Sequence, residues 1–136
     1  MKDKVIKLKT AKLAKEKGFS WKVEYYYDLY VGDIEGKTLS LIDDRDSFGG
    51  REFDNYNRNK TYPTCSAPTQ SLLQKWLREK HNKFIIIIGN VKKGDSRFFT
   101  YSLTGIQIQD FKWDLYESYE RALEAGLLCA LNEIEL

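Results

Sequence analysis

Two side chains of the chain, Cys65 and His81, are of the types that form a nucleophile and its base. Each lies at one end of a stretch that predicts a helix over residues 67–82. A cysteine just before a helix N-terminus can have a lowered thiol pKa, which favours a nucleophile. A helix of that length, at about 1.5 Å per residue, separates the pair by roughly 20 Å. Cys65 and His81 therefore form no dyad within one subunit, and we predict an inert, buried or half-buried Cys65.

Metal-binding residues are sparse. The two cysteines, Cys65 and Cys129, and the single histidine match no spacing of a structural zinc site. Asp43, Asp44 and Asp46 cluster in one segment but lack the alternate spacing and closing glutamate of a calcium-binding loop. A solvated turn is the preferred interpretation, and neither a metal nor a cofactor is predicted.

Charge is distributed unevenly, although the net charge of the 136 residues is only +2. Residues 1–22 hold eight lysines against two acids, whereas residues 110–136 hold seven acids against two basic residues. The basic end can bind phosphate, contact an acidic surface or simply form a solvated face. A nucleic-acid surface would combine these lysines and an arginine with tyrosines that stack on bases. Its candidate residues are Lys4, Lys9, Lys12, Lys15, Tyr26, Tyr30, Tyr56 and Arg58.

A capped amphipathic helix is the clearest local pattern. Ser66 is a suitable N-cap and Pro68 fits the first turn, so we predict a helix from Ala67 to Asn82. Its apolar positions recur at helical spacing, at Leu72, Leu73, Trp76 and Leu77. The following run, residues 84–88, is apolar at every position and predicts a central strand buried on both faces. Lys80, Lys83, Lys92 and Lys93 flank that run and would protect it from aggregation.

The remaining pattern predicts an α+β fold. We expect a short N-terminal helix over residues 11–17, with Thr10 as its cap and Gly18 as its stop, and a strand over residues 21–31 with a hairpin partner over residues 37–42. A turn at residues 93–95 should lead into a return strand over residues 97–103. A last helix begins after Ser118, and its small residues Ala122, Gly126 and Ala130 would permit close packing. Residues 43–60 are rich in turn formers and predict an irregular segment. Together these elements predict a single domain over residues 1–136, with one mainly antiparallel sheet of about four to six strands and two long helices packed on it.

The location predicted from the sequence is the cytoplasm. The longest apolar run, five residues, is far shorter than the about 20 residues that a membrane-spanning helix needs. No apolar stretch follows the basic N-terminus, so a secretory signal is not expected. Two cysteines do not make a disulfide framework.

Residues 66–82, SAPTQSLLQKWLREKHN, resemble a stretch found in a family of small uncharacterised proteins of bacteriophages, prophages and gut bacteria such as Bacteroides. Residues 119–128, YERALEAGLL, are similar to the closing helix of that family. The resemblance implies a phage or mobile-element origin and brings no catalytic residues. Packing explains the apolar positions of the first motif but not its polar side. That polar side is the predicted binding surface: Gln70, Gln74, Lys75, Arg78 and His81.

Three functions follow from these patterns. The preferred hypothesis is a non-enzymatic protein-interaction module that binds another protein or a second copy of itself. The alternatives are a nucleic-acid-binding accessory protein and a small enzyme of unknown reaction. No catalytic residue is predicted.

Overall fold

The structure, a computed structural model, describes residues 3–28, 41–43, 54–58, 64–103 and 114–135, with only the backbone described at 28, 41–43 and 58. The chain divides into two compact units, Met1–Ser71 and Leu72–Leu136. Among the described residues there are three α-helices and five strands, with all strand pairing antiparallel. The predicted α+β class is confirmed. The strands form two sheets, of three strands and two, where one sheet of four to six was predicted. The single domain remains a prediction.

The first helix, α1, spans Leu8–Glu16 and not residues 11–17. It begins after Lys7, which makes no side-chain capping bond, and Thr10 is buried inside the helix instead of capping it. The C-terminus ends as predicted at Gly18, whose φ is +92°. The Phe19 N–H donates to the Ala14 carbonyl (3.0 Å) and the Gly18 N–H to the Lys15 carbonyl (3.1 Å), the paired bonds of a Schellman motif.

The sheet of the first unit has the strand order β2-β1-β3. Strand β1 spans Tyr25–Asp28, β2 spans Leu41–Asp43 and β3 spans Thr64–Ser66. The pairing of β1 with β2 confirms the predicted hairpin partner at residues 41 and 42. Strand β1 begins later than predicted, since Val23 makes only an isolated bridge to Asp54. Residues 29–31 lie outside the described residues.

A short 3-10 helix, Tyr56–Arg58, lies within the segment that was predicted to be irregular. The Asn57 side chain connects it to two other parts of the unit. Its Nδ2 donates to the Phe19 carbonyl (2.9 Å), and its Oδ1 accepts from the Ser66 N–H (2.8 Å). One amide group thus satisfies main-chain groups after α1 and in β3, so this segment has a defined structure at Asn57.

The second helix, α2, spans Gln70–His81, so the predicted start at Ala67 is wrong. Ser66 belongs to β3, and its hydroxyl accepts from the Tyr56 N–H (2.9 Å) instead of capping a helix. The physical reason is Pro68, which disfavours helical dihedrals at the preceding Ala67. The C-terminal end agrees with the prediction, because Asn82 has a left-handed φ of +53° directly after the helix.

Residues 3–6 run antiparallel to the segment that leads into α2. The Ile6 N–H donates to the Pro68 carbonyl (3.1 Å), and the Gln70 N–H donates to the Lys4 carbonyl (2.7 Å). The Ser71 hydroxyl donates to the Asp3 carboxylate. The N-terminal strand segment therefore supplies an acceptor for one of the first helical N–H groups and an acidic group that suits the positive end of the helix.

The second unit contains a hairpin. Strand β4 spans Ile85–Lys93 and β5 spans Ser96–Leu103. Gly94, at φ +63°, occupies the first position of the two-residue turn, where such a dihedral favours glycine. A register shift lies between Ile88 and Val91. This hairpin confirms the predicted turn and return strand.

The last helix, α3, spans Tyr119–Asn132 and lies against β4 and β5. Its predicted cap is confirmed, since the Ser118 hydroxyl accepts from the Arg121 N–H (3.1 Å). Gly126 makes the closest approach: a Cβ there would lie 2.8 Å from Cγ2 of Ile85. The small residues predicted for close packing are all buried.

The prediction that residues 84–88 are buried on both faces is wrong. Ile85 is 6% exposed, but Ile86 is 53% exposed and Phe84 39%. Because successive strand residues point to opposite faces, Ile85 faces α3 whereas Ile86 points to the opposite face. Phe84 directly precedes the strand. An apolar run does not by itself distinguish a strand that is covered on one face from one that is covered on both.

Candidate functional site

Gln70, the first residue of the predicted binding surface, is buried. It is 2% exposed, at the first turn of α2. Gln70 lies three and seven residues before the buried Leu73 and Leu77, so it shares their inward face of α2. The expectation of an exposed Gln70 is therefore wrong.

Gln74 has a structural hydrogen bond. Its Nε2 donates to the Ile85 carbonyl at 3.1 Å, across the turn between α2 and β4. The side chain is half-buried, and its donor is used within the fold. A partner would have to compete with that bond, so Gln74 is a poor candidate for a binding residue.

The other three residues of the surface lie nearer the C-terminal end of α2. Arg78 is exposed, and Lys75 forms a 4.0 Å ion pair with Glu79 on the helix surface. Such an exposed i,i+4 pair contributes only about 0.3–0.5 kcal/mol, so Lys75 remains available to a partner. His81 is half-buried, with its ring edge against Trp76 at a centroid distance of 4.6 Å. Burial, and secondarily the charge of Lys83, lower the pKa of His81.

The lysines of the nucleic-acid alternative surround α1. Lys4, Lys9 and Lys12 are exposed. Lys15 is half-buried, and its Nζ donates to the Thr64 carbonyl at 2.8 Å. Three of the four predicted lysines are therefore placed where a phosphate could reach them, and the fourth holds the helix against β3.

Tyr26 and Tyr56 are brought together by the fold. Their ring centroids are 4.3 Å apart, with the planes tilted by 31°. Both rings are half-buried, so each already covers part of the other's stacking face. Tyr30 and the Arg58 side chain lie outside the described residues.

The tyrosine pair and the basic helix lie on opposite faces of the first sheet. Tyr27 stands opposite Cys65 in the ladder, and its hydroxyl donates to the Ile6 carbonyl (2.8 Å), just before α1. Tyr26 stands opposite Ser66, whose hydroxyl binds the Tyr56 N–H. Directly opposed residues share a face and successive residues alternate, so these are two different faces. Among the described residues of the nucleic-acid alternative, the tyrosine pair and the lysines around α1 therefore lie on different surfaces.

Cys65 is fully buried in β3 and is not at a helix N-terminus. Burial raises the pKa of its thiol to about 11, although the Lys15 and Lys12 ammonium groups act in the opposite direction. Since the thiolate is the nucleophile, this environment disfavours nucleophilic chemistry at neutral pH. The prediction of an inert Cys65 agrees with its position.

Cys129 is half-buried in α3, beside an aromatic pair on β5 and the segment before the helix. The Tyr101 and Tyr116 ring centroids are 6.1 Å apart. Burial first, and then a side-chain hydrogen bond with Cys129, raise the pKa of the Tyr101 hydroxyl. A phenol with a raised pKa stays protonated at neutral pH.

The sequence analysis predicted no binding surface at the most exposed large apolar side chains. Among the described residues these are Phe84, Ile86 and Tyr119, at 39%, 53% and 46%. The signal was present, because alternation with the buried Ile85 places Ile86 on the other face, and the same alternation continued one residue back predicts Phe84 beside it. The unbroken apolar run concealed it, since a central strand has the same composition.

Among the described residues, no group of three or more His, Cys, Asp or Glu side chains is arranged to hold a metal ion. The described part of the chain also lacks a helix with the length and apolarity to span a membrane. The predicted aspartates Asp44 and Asp46 lie outside the described residues.

Comparison of the chain with protein-family models, curated proteins and solved structures gave no match.

Proposed function

We propose that this chain is a non-enzymatic protein-interaction module that binds through the apolar face formed by Phe84 and Ile86. The observation behind this proposal is the 53% exposure of Ile86 within a paired strand. Large apolar side chains that share one exposed face are typical of contact surfaces. Full burial of such a side chain contributes about 1.5–3 kcal/mol, and about half of that remains for a partner to gain at Ile86.

Basic residues that precede this face in the sequence favour an acidic partner. Arg78 and Lys80 are exposed at the C-terminal end of α2, and Lys83 directly precedes Phe84. We therefore propose a protein segment with apolar side chains flanked by Asp or Glu. Charge complementarity of this kind increases the rate of encounter and helps to exclude other partners.

The proposal is tested by an Ile86→Thr variant, which keeps a β-branched strand residue and removes apolar surface. The wild type, Ile86→Thr and a matched control, Lys93→Thr on the same strand, are used to capture proteins from host cells. A captured protein is then purified and its Kd measured with all three. We expect at least tenfold weaker binding for Ile86→Thr and no change for Lys93→Thr. Equal affinities for the wild type and Ile86→Thr would contradict the proposal.

A second copy of the chain is the other partner to test at this face. Sedimentation of the wild type and Ile86→Thr over a range of concentrations decides between a second copy and a different protein. A dimer that Ile86→Thr abolishes would identify the partner as a second copy.

The resemblance of residues 66–82 and 119–128 to the phage and Bacteroides protein family supports the proposed phage or mobile-element origin. The two free cysteines support the proposed cytoplasmic location.

A further inference from the structure

The end of the β4–β5 hairpin projects into solvent. We define the hairpin tip as residues 89–97; eight of these nine residues are exposed and Val91 is half-buried. The tip contains Lys92, Lys93 and Arg97 against Asp95, so its net charge is +2. The proposed protein-binding face uses none of these residues.

Two of these cations stand directly opposite each other. Lys92 pairs with Arg97 in the ladder, so both side chains are on the same face of the hairpin. Like charges in this arrangement destabilise a hairpin. An anion between them would relieve that repulsion. Lys93 pairs with Ser96 and points to the other face, so the tip carries positive charge on both faces.

The Arg97 guanidinium is held by Asn90, at the register shift in β4. Its Nη1 donates to the Oδ1 of Asn90, which has a left-handed φ of +61° at the register shift in β4. Asparagine is one of the few residues that adopt this conformation readily. The neighbouring Gly89 lies against Phe99, because a Cβ at Gly89 would be only 3.2 Å from Cε1 of Phe99. The bulge therefore directs an amide oxygen at the guanidinium and sets its orientation beside Lys92.

We infer that the hairpin tip binds the phosphate backbone of double-stranded DNA, with the two-stranded ribbon lying in the major groove. A ribbon of this width fits that groove, and cations on both faces can reach the phosphates of both walls. A guanidinium in a fixed orientation matches phosphate geometry well. The tip has no aromatic side chain to stack on unpaired bases, and Asn90 is bonded to Arg97 instead of being directed at a base edge. Binding is therefore independent of sequence.

The experiment measures fluorescence anisotropy of a labelled 24-base-pair duplex of random sequence with the full chain. Three phosphate contacts give a salt slope of about −2.7, which corresponds to roughly 40-fold weaker binding at 200 mM than at 50 mM salt. In the variant K92Q/K93Q/R97Q we expect at least tenfold weaker binding at 50 mM and a slope near zero. The matched control K4Q/K9Q/K12Q removes the same charge from exposed positions around α1, and its loss of affinity should be clearly smaller than that of K92Q/K93Q/R97Q.

Asn90→Gly tests the positioning role of the amide. Glycine keeps the left-handed backbone and leaves all charges in place, so the salt slope should be unchanged while affinity falls about threefold. A merely structural Asn90 would leave affinity unchanged. Ile86→Thr should bind DNA like the wild type, which distinguishes this inference from the proposed protein interaction.

Four results would overturn the inference. These are absence of DNA binding at 50 mM salt, wild-type binding by K92Q/K93Q/R97Q, an equal loss in K4Q/K9Q/K12Q, and binding of an acidic peptide but not of DNA. Equal affinity for double-stranded RNA would overturn the placement in the major groove, because that groove in RNA is too narrow to admit the ribbon.

Discussion

The Nε2 of Gln74 donates a hydrogen bond of 3.1 Å to the main-chain carbonyl of Ile85. This bond connects the middle of α2 to the first residue of β4, across the three residues between them. The amide has an acceptor in place, and the carbonyl belongs to the first residue of the strand that lies against α3. The half-buried, polar side chain of Gln74 thus has a structural role, because it links α2 to β4.

Gln74→Ala should destabilise the chain by about 1 kcal/mol, because it removes one hydrogen bond and leaves a carbonyl with a lost partner. Gln74→Glu should cost more, since a carboxylate cannot donate and repels the carbonyl. Urea denaturation gives the free energy of unfolding of each variant. The neighbouring exposed Lys75→Ala serves as the control and should lie within about 0.5 kcal/mol of the wild type. Identical stabilities for Gln74→Ala and Lys75→Ala would contradict a structural role of this bond.

Asn57→Ala should destabilise by about 1–3 kcal/mol, because it removes the partners of the Phe19 carbonyl and the Ser66 N–H together. Asn57→Asp keeps the acceptor for Ser66 and loses the donor to Phe19, so its loss should be smaller. Hydrogen exchange supplies a specific measurement: the Ser66 amide should lose protection in Asn57→Ala and retain it in Asn57→Asp. Ser20→Ala, an exposed change beside Phe19, is the control. Equal protection of Ser66 in both Asn57 variants would show that its N–H does not depend on this side chain.

Gly126→Ala should have two opposing effects on the free energy of unfolding. Alanine gains about 1 kcal/mol of helix propensity over glycine. Its Cβ, however, would lie 2.8 Å from Cγ2 of Ile85 and 3.2 Å from the Tyr101 ring, and overpacking of that kind costs about 1–3 kcal/mol. We expect net destabilisation of about 1–2 kcal/mol by thermal and urea unfolding.

A second substitution separates the two effects at this contact. Ile85→Leu removes the β-branch that the new methyl meets, so Gly126→Ala should be less costly in that background than in the wild type. Ala125→Gly, one residue earlier in α3, measures the propensity term alone. A stabilised Gly126→Ala protein would show that α3 can move away from β4 by a few tenths of an ångström.

Sequence spacing predicted those parts of the fold that depend on local chemistry. The Ser118 cap, the Gly94 turn and the close approach at Gly126 each follow from the type of one residue at one position. The start of α2 could also have been predicted, since Pro68 restricts the residue before it. The role of Asn57 could not, because its partners, Phe19 and Ser66, are distant in the sequence and meet only in the folded unit.

The candidate site was harder to predict than the fold. Helical periodicity identifies which residues share a face, and Gln70 stands at i, i+3, i+7 spacing with the buried Leu73 and Leu77. Its polar side chain concealed that it belongs to the buried face. The exposure of Ile86 depends on what covers each side of β4, which composition does not reveal. Asn90 was missed because its effect requires a bulge, and no residue type specifies a bulge by itself.

His81 should titrate below its ordinary pKa of 6.5, because burial disfavours its charged form and Lys83 adds repulsion. It is the only histidine, so its ring protons give an unambiguous NMR titration. Lys83→Gln should raise the pKa modestly, and Trp76→Leu, which removes the ring that covers the imidazole, should also raise it. Because the unfolded chain binds the proton first, the stability of the folded chain should decrease as the pH falls below about 6.5 and level off once folded His81 is protonated. His81→Gln should lose this part of the pH dependence. A titration at or above 6.5, or an unchanged pH profile in His81→Gln, would contradict the packing of His81 against Trp76 as the cause.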